Sequence, residues 1–200
     1  GIKVYRKLNS IEVFPRDLNP TGNGFAAGDT DGRRVRLGWH WAQHGMADGE
    51  DGYNLVLHEF AHVIDFASLD GKADGVPPFD SYSDTREWER FVAMEFEDFQ
   101  RSAGVDYHSM DDYGCCDEAE FFACATESFF ERAVRLQLEW PAIYNKLKEY
   151  YGMDPATWPS DPTPPEPKLE TCEVQEDAEK LEPISEEEAE TEDAKTETKN

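Results

Sequence analysis

The chain has 200 residues, which is enough for one ordinary domain or for one domain with a tail. Its formal net charge of −25 argues against direct nucleic-acid binding, because proteins that bind nucleic acids contact the phosphates through a basic surface. The sequence contains no apolar run of transmembrane length and no signal-like N-terminus, so we expect no direct contact with a membrane.

The composition divides the chain near residue 158. Residues 161–200 contain 15 Asp or Glu, 4 Lys and no aromatic residue, and such a segment buries too little apolar surface to offset the entropy of ordering. We therefore expect a folded domain over residues 1–158 and a disordered acidic tail over residues 159–200. The tail serves either as a solubilising extension or as an acidic interaction arm. Because the chain starts at Gly1 rather than Met, we expect residues to be missing upstream.

Cysteine placement bears on the cellular compartment. The four cysteines do not form a disulfide framework, because two are adjacent and one lies in the expected tail: Cys115, Cys116, Cys124 and Cys172. A reducing cytoplasm is the expected location, with Cys115 and Cys116 as core or surface thiols.

The hydrophobic pattern predicts an α+β fold that is mostly helical, with a small antiparallel sheet. The expected elements, in chain order, are a strand within residues 2–13, a turn-rich stretch at 19–32, an alternating strand at 33–39, a helix that carries residues 58–62 and ends near residue 68, and helices at 84–103, 117–133 and 141–151. Asp84-x-x-Glu87 is interpreted as a capping box, and Pro141 as a first-turn residue of the last helix.

Residues 58–62 read His-Glu-Phe-Ala-His within an apolar segment. Side chains four apart share one face of a helix, so His58 and His62 can present two imidazoles to one ion. Glu59 then lies where its carboxylate reaches a water on that ion, which is the pattern of a zinc hydrolase helix. The composition gives about 0.03 such pentads by chance, and these polar groups are costly in an apolar segment without a partner. The pentad therefore predicts one catalytic Zn²⁺ rather than two ordinary hydrogen-bonded histidines.

A catalytic zinc usually takes three protein ligands, so the chain must supply one more. The candidates after the first helix are His108, Asp111, Asp112, Cys115, Cys116, Glu120 and Glu127. Glu120 and Glu127 lie seven residues apart on one face of the predicted helix 117–133, together with the small residues Ala123 and Cys124, which would let another helix approach. Asp117-x-x-Glu120 is also a capping-box pattern that needs no metal. Spacing alone leaves the choice between Glu120 and Glu127 open.

The chain resembles the Mlc titration factor A family of zinc-dependent peptidases, which are gluzincins related to the catalytic domain of anthrax lethal factor. The resemblance covers residues 10–157 and is carried by sequence stretches in the family's order: residues 54–65 around the pentad, Ala-Asp-Gly-Val-Pro-Pro at 73–78, Ala-Glu-Phe-Phe-Ala at 119–123, Glu-Ser-Phe-Phe at 127–130 and the segment 141–155. It implies a zincin-like domain with His58, His62 and Glu120 as zinc ligands. It also implies a catalytic role for Tyr113, seven residues before Glu120, which would otherwise be interpreted as a packing aromatic.

Together, the pentad and the resemblance predict a peptidase acting on a peptide or protein substrate, with aminopeptidase and endopeptidase action both open. Glu59 is the expected general base, and Tyr113 is expected to donate a hydrogen bond to the oxyanion. Asp65 either orients His62 from a second shell or anchors a loop, and Glu127 is a further second-shell candidate. The strand at 33–39 is expected to pair with substrate by edge addition.

The alternative function is a regulatory binding protein that sequesters a transcriptional repressor, because the family is named for that capture. Peptidase activity would then be secondary. A purely structural metal site is disfavoured, because three good ligands leave an open position.

Overall fold

The computed structural model describes residues 2–15, 27–68, 70–104 and 109–159, which belong to one compact unit, Gly1–Pro159. Several expectations fall outside these residues: nearly all of the acidic tail with Cys172, most of the turn-rich stretch at 19–32, and His108 as a candidate ligand. Among the helices of the described ranges, none is long and apolar enough to cross a membrane.

The described residues contain three strands, six α-helices and three short 3-10 helices. The strands are β1 (Ser10–Phe14), β2 (Gly28–Thr30) and β3 (Arg34–Gly38), and the helices are α1 (Trp39–Ala47), α2 (Leu55–Asp65), α3 (Tyr82–Ser102), α4 (Glu118–Glu131), α5 (Ala133–Glu139) and α6 (Pro141–Tyr151). The 3-10 helices span Ile2–Lys7, Asp112–Cys115 and Pro155–Thr157. This architecture confirms the mostly helical α+β fold with a small sheet.

The sheet is mixed rather than purely antiparallel, which corrects the expectation. Its strand order is β1-β3-β2, with β1 parallel to β3 and β2 antiparallel to it. The strand predicted at 33–39 is therefore the central strand, and both of its edges are occupied. An extended substrate cannot add to β3, so the edge-addition hypothesis fails for that strand. Strand β2 was missed, because three residues are too few to show alternation.

Side-chain caps explain where the site-bearing helices begin. The side chain of Asn54 accepts hydrogen bonds from the amides of Val56 and Leu57, which starts α2. Asp117 accepts a hydrogen bond from the amide of Glu120 at 2.9 Å, so the expected cap of α4 is present while the Glu120 side chain is free for another contact.

The start of α3 differs from the expected capping box. Ser81 Oγ accepts a hydrogen bond from the amide of Asp84, so the helix begins at Tyr82 rather than at Asp84. Helix α6 begins at Pro141 as expected, and Gly152 ends it with a left-handed φ of 66°.

Helix α2 lies between two apolar clusters. One cluster joins it to the sheet through the buried residues Val35, Leu37, Leu55 and Val63. The other joins Ala61 and Ile64 of α2 to an aromatic-rich core built from α3, α4, α5 and α6. The helix is thus held from both sides, and the packing between α2 and α4 brings their polar faces together.

Candidate metal centre

The structure brings His58, His62 and Glu120 together at the contact between α2 and α4. The Nε2 atoms of the two histidines lie 3.2 Å apart, and Oε2 of Glu120 lies 2.9 Å from Nε2 of His58 and 3.3 Å from Nε2 of His62. All three side chains are largely buried, with exposed fractions of 11–20%. The shared helix face predicted from the i, i+4 spacing of the histidines is therefore present, and Glu120 supplies the third donor atom.

These three donors fit a zinc ion. Ligand atoms about 2.0–2.1 Å from a tetrahedral zinc lie about 3.3 Å from one another, and the three observed separations are close to that value. Two imidazole nitrogens and one carboxylate oxygen are also the donor set of catalytic zinc sites that keep a position for water.

The charges of the three side chains also favour a bound cation. Although burial raises the pKa of Glu120, its hydrogen bonds to the two histidines lower that pKa to about 2, so the residue is an anion at neutral pH. Burial lowers the pKa of His58, but hydrogen bonds to Cys124, Glu120 and Glu127 outweigh it and raise the pKa overall. The site therefore favours a positive charge between these groups, which a bound cation would supply.

Glu59 of α2 lies against strand β2 of the sheet. Its side chain is only 4% exposed, and burial raises its pKa to about 7. It lies directly against Gly28 of β2, where an added Cβ would be 2.8 Å from Oε1 of Glu59. Next to Gly28, Asp29 forms an ion pair with Arg36 of β3, and its charge contributes to the raised pKa of Glu59.

Tyr113 lies on the open side of the cluster. It belongs to the 3-10 helix Asp112–Cys115, whose N-cap Asp111 accepts a hydrogen bond from the Tyr113 amide at 2.7 Å. The phenol oxygen lies 3.4 Å from Oε1 of Glu120, and the ring centre lies 6.0 Å from that of His58. The side chain is 53% exposed, and partial burial raises its pKa to about 12.

The remaining candidate ligands within the described residues lie elsewhere. Asp111 caps the 3-10 helix, and Asp112 accepts a hydrogen bond from the amide of Gly104. Cys115 and Cys116 are free thiols, and the groups of potential ligands found in the described ranges include neither of them.

Asp65 and Glu127 have different roles in the observed contacts. The two oxygens of Asp65 accept hydrogen bonds from the amides of Gly75 at 2.7 Å and Val76 at 3.0 Å, while Nδ1 of His62 has no hydrogen-bond partner among the described residues. Asp65 therefore binds the loop that follows α2 through both oxygens, and its effect on His62 stays a prediction. Glu127, by contrast, places Oε1 2.7 Å from Nδ1 of His58.

Two residues of the site were missed from the sequence. Asn54 could have been found, because an Asn directly before an amphipathic run is a typical N-cap. Gly28 could not, because nothing local signals that its missing side chain makes room for Glu59.

The paired imidazoles and the Glu120 carboxylate form a candidate metal site whose donor set is that of metal-dependent hydrolases. The model of the glucose-regulated metallo-peptidase M90 family matches residues 1–152, so the chain belongs to that family. This result confirms the resemblance seen in the sequence.

Individual relatives agree with the family assignment. An uncharacterised protein of Synechocystis is 30% identical over 172 residues, which cover 78% of this chain and 61% of the relative. Proteins named Mlc titration factor A from Yersinia enterocolitica and Yersinia pestis are 34% and 33% identical over 136 residues, which cover 62% of this chain and 50% of each relative. The chain thus spans about half to three fifths of the length of these relatives.

Proposed function

We propose that the chain is a zinc-dependent peptidase that hydrolyses peptide bonds at the His58, His62 and Glu120 cluster. The observation that carries this proposal is the convergence of three donor atoms from two helices, separated by 2.9–3.3 Å, beside a buried carboxylate with a raised pKa. Membership of a metallopeptidase family supports it.

Zinc, when bound to these three side chains, lowers the pKa of a coordinated water and polarises a substrate carbonyl. Glu59 accepts the proton of the attacking water and then delivers it to the leaving amine. In the metal-free chain, burial raises the pKa of Glu59 to about 7, so its carboxylate is a stronger base there than an exposed glutamate. The close contact with Gly28 limits the positions that its carboxylate can take.

Tyr113 stabilises the oxyanion that develops on the scissile carbonyl. Its pKa of about 12 keeps the phenol protonated at neutral pH, so the hydroxyl remains a hydrogen-bond donor. The residue is half-exposed and lies on the open side of the cluster, where a substrate can reach it.

Strand β2 replaces β3 as the strand that binds substrate. In the described part of the sheet, β2 is an edge strand that contacts α2, and its Gly28 lies against Glu59. An extended peptide that adds to this edge would pass the general base, and the main-chain hydrogen bonds would hold it without regard to sequence.

The test compares wild type with Glu59→Gln for zinc content and for cleavage of chromogenic peptides. We expect full zinc content and a loss of cleavage of about 10²–10⁴-fold, because Glu59 moves the proton but is not a ligand. Glu118→Gln is the matched control, since Glu118 is an exposed residue in the first turn of α4. Equal cleavage by wild type and Glu59→Gln would overturn the assigned mechanism.

A second candidate function follows from the relatives named Mlc titration factor A. In that case the chain would sequester a transcriptional repressor related to Mlc, and peptide hydrolysis would be secondary. The Glu59→Gln variant separates the two functions when it is tested for capture of purified Mlc. Capture by a wild-type chain that cleaves no peptide would favour the binding function over the peptidase.

A further inference from the structure

Helix α4 carries a second carboxylate of the site two turns after Glu120. Glu127 is 2% exposed; its Oε1 lies 2.7 Å from Nδ1 of His58, and its Oε2 accepts the backbone amide of Asn54 at 2.5 Å. We propose that Glu127 is the positioning residue of the metal centre, because it holds the proton of His58 on Nδ1 and thereby directs Nε2 to the metal. This inference rests on the proposed metal site.

The direction of the hydrogen bonds leads to that role. The amide of Asn54 can only donate, so Oε2 of Glu127 is an acceptor. An ionised carboxylate has no proton to give, so the other oxygen requires a donor from His58, which places the imidazole proton on Nδ1. In the metal-free chain Nε2 of His58 faces the Glu120 carboxylate, so a proton lies there as well. A metal ion that replaces this proton would leave the proton on Nδ1 with Glu127, and the Nε2 lone pair would then face His62 and Glu120.

Glu127 also couples the orientation of His58 to the start of the helix that carries it. Asn54 is the N-cap of α2, and Glu127 bonds its main chain while Glu131 Oε1 accepts from its side-chain nitrogen at 2.8 Å. Helix α4 therefore carries the proposed metal donor Glu120, the hydrogen-bond partner of the donor His58, and the carboxylates that hold the start of α2. The two helices can move relative to each other only by breaking these bonds.

The two histidines are not equivalent in this arrangement. Within the described part of the chain, the buried Nδ1 of His62 has no hydrogen-bond partner, whereas Nδ1 of His58 contacts the Glu127 carboxylate. Second-shell carboxylates raise the basicity of a ligating imidazole and fix its ring, so His58 is the pre-oriented ligand of the pair. The ring of His62 has polar contacts only on its metal-facing side, from Nε2 to His58 and Glu120, among the residues that the structure describes.

The thiol of Cys124 is the alternative candidate for positioning His58. Cys124 lies one turn before Glu127, contributes to the raised pKa of His58, and groups with His58 and Glu127 within 4.8 Å. A thiol is only a weak donor and a weak acceptor, so the carboxylate should dominate the interaction.

The experiment measures zinc affinity by competition with a chromogenic chelator, which needs no peptidase activity. For Glu127→Gln we expect a loss of affinity of about 10–100-fold. The amide can keep its oxygen on only one of the two donors. If that donor is the Asn54 amide, the NH₂ group faces Nδ1 and favours the proton on Nε2, which blocks coordination. If it is His58, two donors collide at the start of α2.

Glu131→Gln is the matched control, because Glu131 lies on the same helix and binds the same Asn54 but through its side chain. We expect its zinc affinity to stay within about threefold of wild type, and we expect Cys124→Ala to lose less affinity than Glu127→Gln. An affinity of Glu127→Gln equal to that of Glu131→Gln would overturn the proposal. A tenfold loss in Cys124→Ala alone would assign the positioning to the thiol and would also overturn it.

A second readout uses only the wild-type chain. In the zinc-loaded protein, proton NMR should show the Nδ1 proton of His58 as a downfield resonance protected from exchange, because the proton is buried in a charged hydrogen bond. A zinc-loaded chain without this resonance contradicts the proposal. Failure of wild type to bind zinc at all would instead remove the proposed function, so the two failures are distinguishable.

Discussion

Gly75 joins three elements around the metal centre, and replacing it with alanine should disrupt all three contacts. Its φ is +75°, its amide donates to Asp65 at the end of α2, and its carbonyl oxygen accepts from Trp88 Nε1 of α3 at 2.8 Å. A Cβ at this position would lie 2.9 Å from the carbonyl carbon of Glu118 at the start of α4, and closer still to its oxygen. Backbone atoms cannot rotate away, so the loop itself would have to move.

The expected loss of unfolding free energy in Gly75→Ala has two contributions. A non-glycine residue in the left-handed region costs about 1–2 kcal/mol. Forcing an atom into a packed backbone costs about 1–3 kcal/mol more. Gly75→Ala should therefore lower the free energy of unfolding by about 2–5 kcal/mol, a large part of the roughly 5–15 kcal/mol that domains have in total.

Gly71 is a matched control for the cost of a positive φ without the steric contact. Gly71 has a φ of +70°, and no atom lies within 4 Å of a Cβ added there. Gly71→Ala should cost only the first term, because both variants also share the same gain from a less flexible unfolded chain.

The assay is urea unfolding of the metal-free proteins, followed by tryptophan fluorescence and analysed by linear extrapolation. The difference between the two variants should be about 1–3 kcal/mol, with Gly75→Ala the less stable. Equal destabilisation of the two variants would refute the argument from the Glu118 contact.

Three further outcomes are expected. Gly28→Ala should displace the Glu59 carboxylate and lower peptide cleavage about 10²-fold at full zinc content. The control Gly49→Ala should cleave peptides as wild type does, because no described atom lies near a Cβ added at Gly49. Loss of zinc from Gly28→Ala would contradict this prediction. Tyr113→Phe should lower kcat about 10²–10³-fold with zinc affinity unchanged, and an unchanged kcat would remove the oxyanion role. Burial raises the pKa of Asp65 to about 7, so its folded carboxyl keeps a proton that the unfolded chain releases above about pH 4. The stability of wild type relative to Asp65→Asn should therefore fall from pH 4 to pH 7 in urea unfolding, and a difference that rises with pH would show that the two amide bonds outweigh burial.

The parts of the site that depend on local periodicity could be predicted from sequence. The shared face of His58 and His62 follows from helical spacing, and the bounds of α6 follow from Pro141 and Gly152. The position of Glu120 beside them could not be derived in this way, because it depends on a contact between helices 58 residues apart. The family resemblance supplied it.

Other elements were missed because their sequences carry weak signals. Helix α1 (Trp39–Ala47) was not predicted, because its sequence includes a glycine and its apolar face is weak. Gly45 is in fact required there, since a Cβ would lie 3.0 Å from the Cα of Asn54. A close approach between two helices leaves no pattern in the sequence around the glycine that allows it.

Both ends of α2 are fastened by carboxylates that accept main-chain amides. Glu127 holds the amide of Asn54 at the start, and Asp65 at the end holds those of Gly75 and Val76. An isolated helix of 11 residues would fray from its termini, but here fraying requires breaking buried hydrogen bonds to the carboxyl groups of Glu127 and Asp65. In hydrogen exchange, the amides of this helix should open only when the whole domain unfolds, so metal can leave and return without local melting of the helix that binds it.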